Sequence, residues 1–155
     1  MGRKLGADVI LQRTRKLLGS GDAGARGGDA TGLSGVAWGS DIGFVVAKVC
    51  TPTFFGLNAE CPSSALAAGI TWAVDQGANV LNISLGGTEP SETEQLALRY
   101  ARDRGVLPFC AAGNSGVQGV LWPAAFQECV AVSATGGATF SSCRTTPIAP
   151  HGGCV

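Results

Sequence analysis

Apolar runs of strand length alternate with segments that carry helix signals, and this alternation limits the fold more than any other feature. Four runs are typical of strands buried on both faces: residues 42–49, 79–85, 106–112 and 129–134. Between the first two, Pro62 favours a helix start and Gly77 a helix end. Between the next two, Ser91 and Glu94 form a capping box, and Gly105 ends that helix. The alternation predicts βαβ units and therefore an α/β fold with a mostly parallel sheet.

The first 33 residues differ in character from the rest of the chain. They hold six basic residues against three aspartates, although the formal charge of the whole chain is zero. Residues 1–18 predict a short basic amphipathic helix, and the seven glycines in residues 19–35 predict a flexible connector. We therefore expect a basic, glycine-rich segment over residues 1–33 and a partial globular domain over residues 34–155.

Several classes of partner are disfavoured by composition. No apolar run approaches the roughly 18–20 residues that a membrane-spanning helix needs. Residues 7–11 are too short for the apolar core of a signal peptide, and basic residues follow them directly. Only 14% of the residues are charged, and no basic face for nucleic acid is evident. We expect no nucleic-acid partner, no membrane partner and no signal peptide in this chain.

The cysteines indicate disulfides more than a metal site. There are six of them and a single histidine, without a Cys-x-x-Cys pair, so zinc ligation is disfavoured. Six cysteines allow 15 complete pairings. Cys50 and Cys61 bracket a short loop and form the pair that the sequence favours, whereas Cys110, inside an apolar run, is predicted to be a small buried hydrophobic residue. An oxidising compartment is favoured.

Small residues follow two of the predicted strands. One strand ends in Ser84, Leu85 and Gly86, and the next ends in Ala111, Ala112, Gly113 and Asn114. Ligands bind beyond the carboxyl ends of strands in such sheets. Small residues there let a ligand backbone come close, and Asn114 offers a neutral amide donor. A site that holds a developing oxyanion needs such a donor.

These two strand ends and their neighbours resemble the subtilisin-like serine proteases, the subtilase family. Further matching blocks are Ser34-Gly35-Val36-Ala37 with residues 46–49, residues 68–83 before the first strand end, Trp122-Pro123-Ala124 with residues 130–135, and Phe140-Ser141-Ser142 with Ala149-Pro150. The likeness covers roughly residues 34–153, in the family's order. It implies a three-layer core with helices on both faces of the sheet, present here incompletely, and an extracellular location. It also allows for a structural calcium ion, whose ligands the sequence does not identify.

The resemblance assigns roles to the strand ends. It implies that Asn114 is the oxyanion donor. Ser84, Leu85 and Gly86, here called the peptide-binding segment, would pair with an extended peptide or protein substrate. Ala111, Ala112 and Gly113, the second wall, would face that segment across the primary specificity pocket and leave room for a large substrate side chain.

The catalytic triad of the family is not found. Its Asp and His precede the Gly-Val-Ala segment, but residues 1–33 contain no histidine, and Asp8, Asp22 and Asp29 lie in no Asp-(Ser/Thr)-Gly context. The family's Gly-Thr-Ser-Met-Ala motif is absent, and His151 stands where the family has a loop residue. We expect a truncated serine endopeptidase that is inactive by itself. The alternative is a catalytically dead peptide-binding module that keeps the substrate cleft.

Two other hypotheses have weaker support. Residues 19–24 fit the Gly-x-Gly-x-x-Gly pattern of a nucleotide-binding turn but follow a basic segment instead of a strand. Cys143 or Cys154 with His151 would suggest a cysteine nucleophile, although no third orienting group is evident. Because the sheet would be incomplete, we also expect self-association through uncovered apolar surface.

Overall fold

A five-stranded parallel sheet carries the fold. The computed structural model describes residues 7–11, 25, 27–28, 34–37, 43–52, 59–114 and 119–133. The strands are β1 (Ala7–Leu11), β2 (Gly43–Ala47), β5 (Val80–Ile83), β6 (Leu107–Ala111) and β7 (Val130–Val132), with β3 (Thr51–Pro52) and β4 (Ala59–Glu60) forming a separate antiparallel pair. The sheet order is β2-β1-β5-β6-β7, and every neighbouring pair is parallel. The predicted α/β class and the four predicted strands are confirmed.

The N-terminal segment contributes a strand that the sequence analysis did not predict. A basic helix over residues 1–18 was expected, but residues 7–11 form β1 between β2 and β5, with Val9 opposite both Val45 and Leu81. The helix prediction is wrong here because a short apolar run is equally compatible with a helix turn and a buried strand. Backbone partners on both sides decide in favour of the strand.

Two helices pack together and against the sheet. Helix α1 (Ser63–Asp75) begins after Pro62, and helix α2 (Glu92–Asp103) begins after Ser91, whose Oγ accepts a bond from the Glu94 N–H at 3.4 Å. Gly77 and Gly105 have φ of +84° and +76° just beyond the two helix ends, as the stop signals predicted. In the described part of the chain, neither helix is long and apolar enough to cross a membrane.

The core lies between the helices and one face of the sheet. Fully buried side chains from both helices and from strands β5 and β6 meet there: Leu66, Ile70, Leu81, Ile83, Leu98, Ala101 and Cys110. The opposite face is less covered, since Leu107, Val130 and Val132 are 41%, 41% and 49% exposed. We call these three residues the open face. Parallel sheets usually have both faces covered.

Two disulfides link described residues. Cys50–Cys61 closes the loop that carries β3 and β4, which confirms the predicted pair. Cys110 is fully buried, as expected, but it bonds to Cys129 just before β7, so its treatment as an unpaired hydrophobic residue was wrong. Sequence spacing cannot reveal this pair, because β6 and β7 become neighbours only in the sheet. Cys143 and Cys154 lie outside the described residues.

Candidate functional site

The two predicted strand ends lie side by side at the carboxyl edge of the sheet. Ile83 of β5 is opposite Cys110 of β6, so Ser84 and Ala111 follow at the same level of adjacent strands. Leu11 of β1 is opposite Ile83 on the other side. The peptide-binding segment and the second wall are therefore neighbours, which is the arrangement that the resemblance implies for the two sides of a substrate cleft.

Leu121 and Trp122, here called the cross segment, connect the two sides through backbone hydrogen bonds. The Leu121 N–H donates to the Ala112 carbonyl at 3.0 Å. Gly87 and Trp122 exchange two bonds, with the Gly87 N–H donating at 2.8 Å and the Trp122 N–H at 2.9 Å. The cross segment therefore fixes the spacing between Gly87, next to the peptide-binding segment, and Ala112 of the second wall.

The Leu121 side chain lies against both sides of the cleft. A Cβ atom at Gly86 would be 3.1 Å from the Leu121 Cβ, and one at Gly113 would be 2.7 Å from its Cγ. Gly113 also has φ of +112°, a backbone conformation that disfavours a side chain. Glycine at these positions thus leaves room for Leu121, which the sequence analysis did not identify as a site residue. The one feature of the sequence that could have pointed to Leu121 is its position directly before the Trp122-Pro123-Ala124 block.

The polar groups of the site are exposed. Asn114 directly follows Gly113 and is exposed, as is Ser84. The Asn82 side-chain amide donates to the Ser84 Oγ at 3.0 Å, which orients that hydroxyl. Leu85 is partly buried, and Gly86 is exposed. The backbone of the peptide-binding segment is accessible where the resemblance predicts substrate contact.

A cavity of about 240 Å³ opens beside the peptide-binding segment. Leu85, Gly86 and Gly87 form one part of its wall and Trp122 another. Two carboxylate residues, Glu89 and Glu94, also line it. Cys61 lies in the same wall, so the Cys50–Cys61 disulfide tethers one side of the cavity.

Strand β1 shows where Asp8, the first aspartate of the chain, lies in the sheet. Asp8 is the second residue of this strand and pairs in register with Phe44, three residues before Leu11. At ~3.3 Å per residue, its backbone lies about 10 Å from the carboxyl end of the strand. The Asp8 backbone therefore lies towards the opposite end of β1 from Leu11, which is level with Ile83. Asp22, Asp29 and His151 lie outside the described residues.

The perturbed ionisable groups lie away from the cleft. Burial raises the pKa of Glu128, but hydrogen bonds from Arg99, its own backbone N–H and Gln95, with the nearby Arg99 charge, outweigh this and leave the pKa below its ordinary value. A hydrogen bond to Asp75 raises the pKa of Tyr100. Both groups link helices to neighbouring elements. No group of three or more potential metal-ligating side chains occurs among the described residues, so we assign no calcium ligands.

Comparison with known proteins identifies the family. Residues 19–152 match the family model of peptidase S8, the subtilase family. The chain belongs to the subtilase family.

Individual relatives extend well beyond the matched part. Subtilisin BL of Lederbergia lenta is 43% identical over 80 residues, which make up 52% of this chain and 30% of that protein. Halolysin of Haloferax mediterranei is 54% identical over 72 residues, 46% of this chain and 14% of the relative. The structure of the psychrophilic subtilisin-like protease Apa1 from Pseudoalteromonas sp. AS-11 superposes with a TM-score of 0.63 at 26% identity, covering 81% of this chain and 31% of that one. This chain spans less than a third of each of these proteins.

Proposed function

We propose that this chain forms the substrate-binding part of a serine endopeptidase of the subtilisin type. The observation that carries the proposal is the adjacency of the peptide-binding segment and the second wall at one sheet edge. Family membership supplies the reaction class, the hydrolysis of peptide bonds. An extended peptide or protein is the substrate.

In this proposal the substrate adds a strand along Ser84, Leu85 and Gly86, so that main-chain hydrogen bonds hold it. The scissile carbonyl then points towards Asn114, whose side-chain amide donates to the oxyanion of the tetrahedral intermediate. Leu121 limits the depth of the pocket between the walls. The substrate side chain that enters there is consequently small, in contrast to the large one that the glycines and alanines alone suggested.

We further propose that these 155 residues do not hydrolyse peptides by themselves. Acyl transfer by this route needs a nucleophile and a general base in hydrogen-bond contact. The single histidine of the chain, His151, is not within a His-Gly-Thr-His motif. An oxyanion donor and a cleft without that base leave only residual catalysis, on the order of 10³–10⁴ over the reaction in water, which is the magnitude that subtilisin retains without its triad.

An extracellular location is part of the same proposal. Two disulfides between described residues, Cys50–Cys61 and Cys110–Cys129, support an oxidising compartment. A structural calcium ion remains compatible with the family but has no assigned ligands here.

A peptide titration tests the binding step. An extended peptide with a small central side chain should shift the amide resonances of Leu85 and Gly86, because their backbone becomes paired. The matched control is the same peptide N-methylated at alternate residues, which removes half of its donors and should bind at least tenfold more weakly. Equal binding of both peptides, or shifts confined to other residues, would reject strand addition.

A second assay tests the missing chemistry. A fluorogenic peptide should show no turnover, and a serine-directed phosphonate should form no covalent adduct. A labelled serine would overturn the proposed inactivity. The alternative of a dedicated peptide-binding module predicts the same absence of turnover. It is favoured if a catalytically complete subtilase with the same cleft binds the peptide far less tightly.

A further inference from the structure

The Cys110–Cys129 disulfide closes a loop that contains one side of the candidate site. Cys110 directly precedes Ala112 and its neighbours in the second wall, and Cys129 directly precedes β7. The second wall, Asn114 and the cross segment all lie between the two cysteines. The bond therefore holds together the two ends of the stretch that carries the proposed oxyanion donor.

Strand β7 has few other contacts that hold it to the sheet. It is three residues long, and among the described residues it pairs on one side only, with β6. Ala131 is partly buried, while Val130 and Val132 are 41% and 49% exposed, so none of its side chains is fully buried. Elements with few buried apolar contacts open at a low cost in free energy. The covalent bond to β6 therefore matters more here than it would beside a long, buried strand.

A series of short contacts connects Cys129 to the cross segment. The Cys129 N–H donates to the Phe126 carbonyl at 3.0 Å, and the Phe126 ring centroid lies 4.4 Å from that of Trp122. The Ala125 N–H donates to the Leu121 carbonyl at 3.0 Å. The cross segment is itself hydrogen-bonded to the second wall. A displacement of Cys129 would consequently disturb the spacing between the two sides of the cleft.

The two cysteines differ in their access to solvent. Cys110 is fully buried, whereas Cys129 is partly exposed. We therefore expect a thiolate from solution to attack the Cys129 sulfur and to displace Cys110, which then takes up a proton. A second thiol releases Cys129 from the mixed disulfide. In sum, two thiols from solution are oxidised to one disulfide, and the Cys110–Cys129 disulfide is reduced to two thiols.

The Cys50–Cys61 disulfide is placed differently. Its loop carries β3 and β4 and contains no residue of the second wall or of the cross segment. Val49 and Cys50 are buried at one end of this loop. At the other end, α1 begins two residues after Cys61 and contributes Leu66 to the core. Both ends of the loop are therefore held by core residues even when the bond is open.

We propose that the Cys110–Cys129 disulfide is a redox switch for peptide binding at this site. The inference rests on the proposed function, because it concerns the same second wall and cross segment. In the oxidised chain the loop is closed, and the two sides of the cleft keep their spacing. After reduction by a small thiol or a dithiol protein, β7 separates from β6, the cross segment loses its fixed position and the extended peptide binds weakly. The cleft is consequently competent only in an oxidising compartment.

The test measures the affinity of the full chain for the extended peptide with a small central side chain, before and after treatment with dithiothreitol. We expect reduction to weaken binding about tenfold or more. Cys110→Ala combined with Cys129→Ala should bind as weakly as the reduced chain under both conditions. Cys50→Ala combined with Cys61→Ala is the matched control, because it also lacks one disulfide but should keep the full response to dithiothreitol.

Amide hydrogen exchange without peptide gives a second readout. Reduction should speed the exchange of the Leu121 and Trp122 N–H groups about tenfold or more, because their hydrogen bonds to the two sides of the cleft open more often. The N–H groups of Ile70 in α1 and Leu98 in α2 should stay protected. Loss of protection in both helices would overturn the proposal, because the bond would then hold the whole fold together instead of one loop.

The outcomes separate this inference from the proposed function. If the oxidised and reduced chains bind the peptide equally, the switch is rejected while strand addition stands. If neither form binds, the proposed function fails and the switch fails with it. A response to dithiothreitol that survives the loss of Cys110 and Cys129, but not the loss of Cys50 and Cys61, would also reject the switch proposed here. The comparison of the oxidised and reduced chain needs no variant, so it decides the matter even if a variant does not fold.

Discussion

The Leu121 side chain occupies the space that any side chain at Gly113 would need, since a Cβ there would lie 2.7 Å from the Leu121 Cγ. Leu121 lies against Gly86 in a similar way, since a Cβ atom at Gly86 would lie 3.1 Å from the Leu121 Cβ. One residue therefore spans the cleft between the two strand ends. The small residues at Gly86 and Gly113 thus make room for Leu121, and the space between the strand ends is smaller than the sequence suggests.

Gly113→Ala should lower the free energy of unfolding by about 2–4 kcal/mol, from a strained backbone plus the clash with Leu121. Gly77→Ala is the matched control, because Gly77 also has positive φ but a Cβ there meets nothing within 4 Å. It should cost only about 1–2 kcal/mol. Urea unfolding measures both variants, and equal losses would show that Leu121 exerts no steric effect.

Leu121→Ala should widen the cleft and change which peptides bind. A peptide with a large apolar side chain at the position between the walls should gain about tenfold in affinity relative to its alanine counterpart, because that side chain can then be buried. Leu96→Ala removes an exposed leucine from α2 and serves as the control. Calorimetric titration of both peptides gives the ratio. An unchanged preference in Leu121→Ala would contradict the assignment of Leu121 to the pocket.

The Cys110–Cys129 bond should stabilise the fold. Replacing both cysteines by alanine should cost about 3 kcal/mol, because the bond closes a loop with a sequence separation of 19 residues. The Cys50–Cys61 pair has a separation of 11 and should cost somewhat less when removed. Peptide mapping without reductant should recover the Cys110–Cys129 link. Alkylation of Cys110 in the native, unreduced protein would disprove it.

Glu128 should make stability depend on pH in acid. Because its pKa in the folded state lies below the ordinary value of 4.5, its stabilising effect is complete above that value. The effect is lost as pH falls through the lower, folded-state pKa. Glu128→Gln should thus be destabilised at pH 7, on the order of 1 kcal/mol, and converge with the unmodified chain in strong acid. Arg102→Gln changes an exposed residue of α2 and is the control for charge, so it should keep the acid dependence of stability. If the stability of Glu128→Gln followed pH in parallel with that of the unmodified chain, the Arg99–Glu128 pairing would be contradicted.

The open face should promote self-association. Val130 and Val132 are exposed on β7, an edge strand of the sheet in the described residues. A lysine at either position should shift the chain towards monomer in sedimentation velocity. Val36→Lys is the control, since Val36 is 94% exposed but lies outside the sheet. Equal effects of all three variants would indicate a general solubility effect instead of a specific face.

Local signals predicted most of the regular structure. The cap at Ser91 and the stops at Gly77 and Gly105 located both helices to within a few residues, because capping depends on bonds between near neighbours. The four long apolar runs gave four of the five sheet strands. The fifth, β1, was missed because its five residues carry no periodicity that separates a strand from a helix turn.

The sequence by itself determined the α/β class, the helix ends, the Cys50–Cys61 bond and the two strand ends to which the family resemblance assigns substrate binding. All of these depend on short-range patterns or on motifs that stand together in the chain. Only the tertiary structure decided that β1 lies between β2 and β5, that Cys110 bonds Cys129 and that the Leu121 side chain lies against both Gly86 and Gly113. The reason is physical: these contacts join residues that are distant in sequence, and strand order and packing alone bring them together.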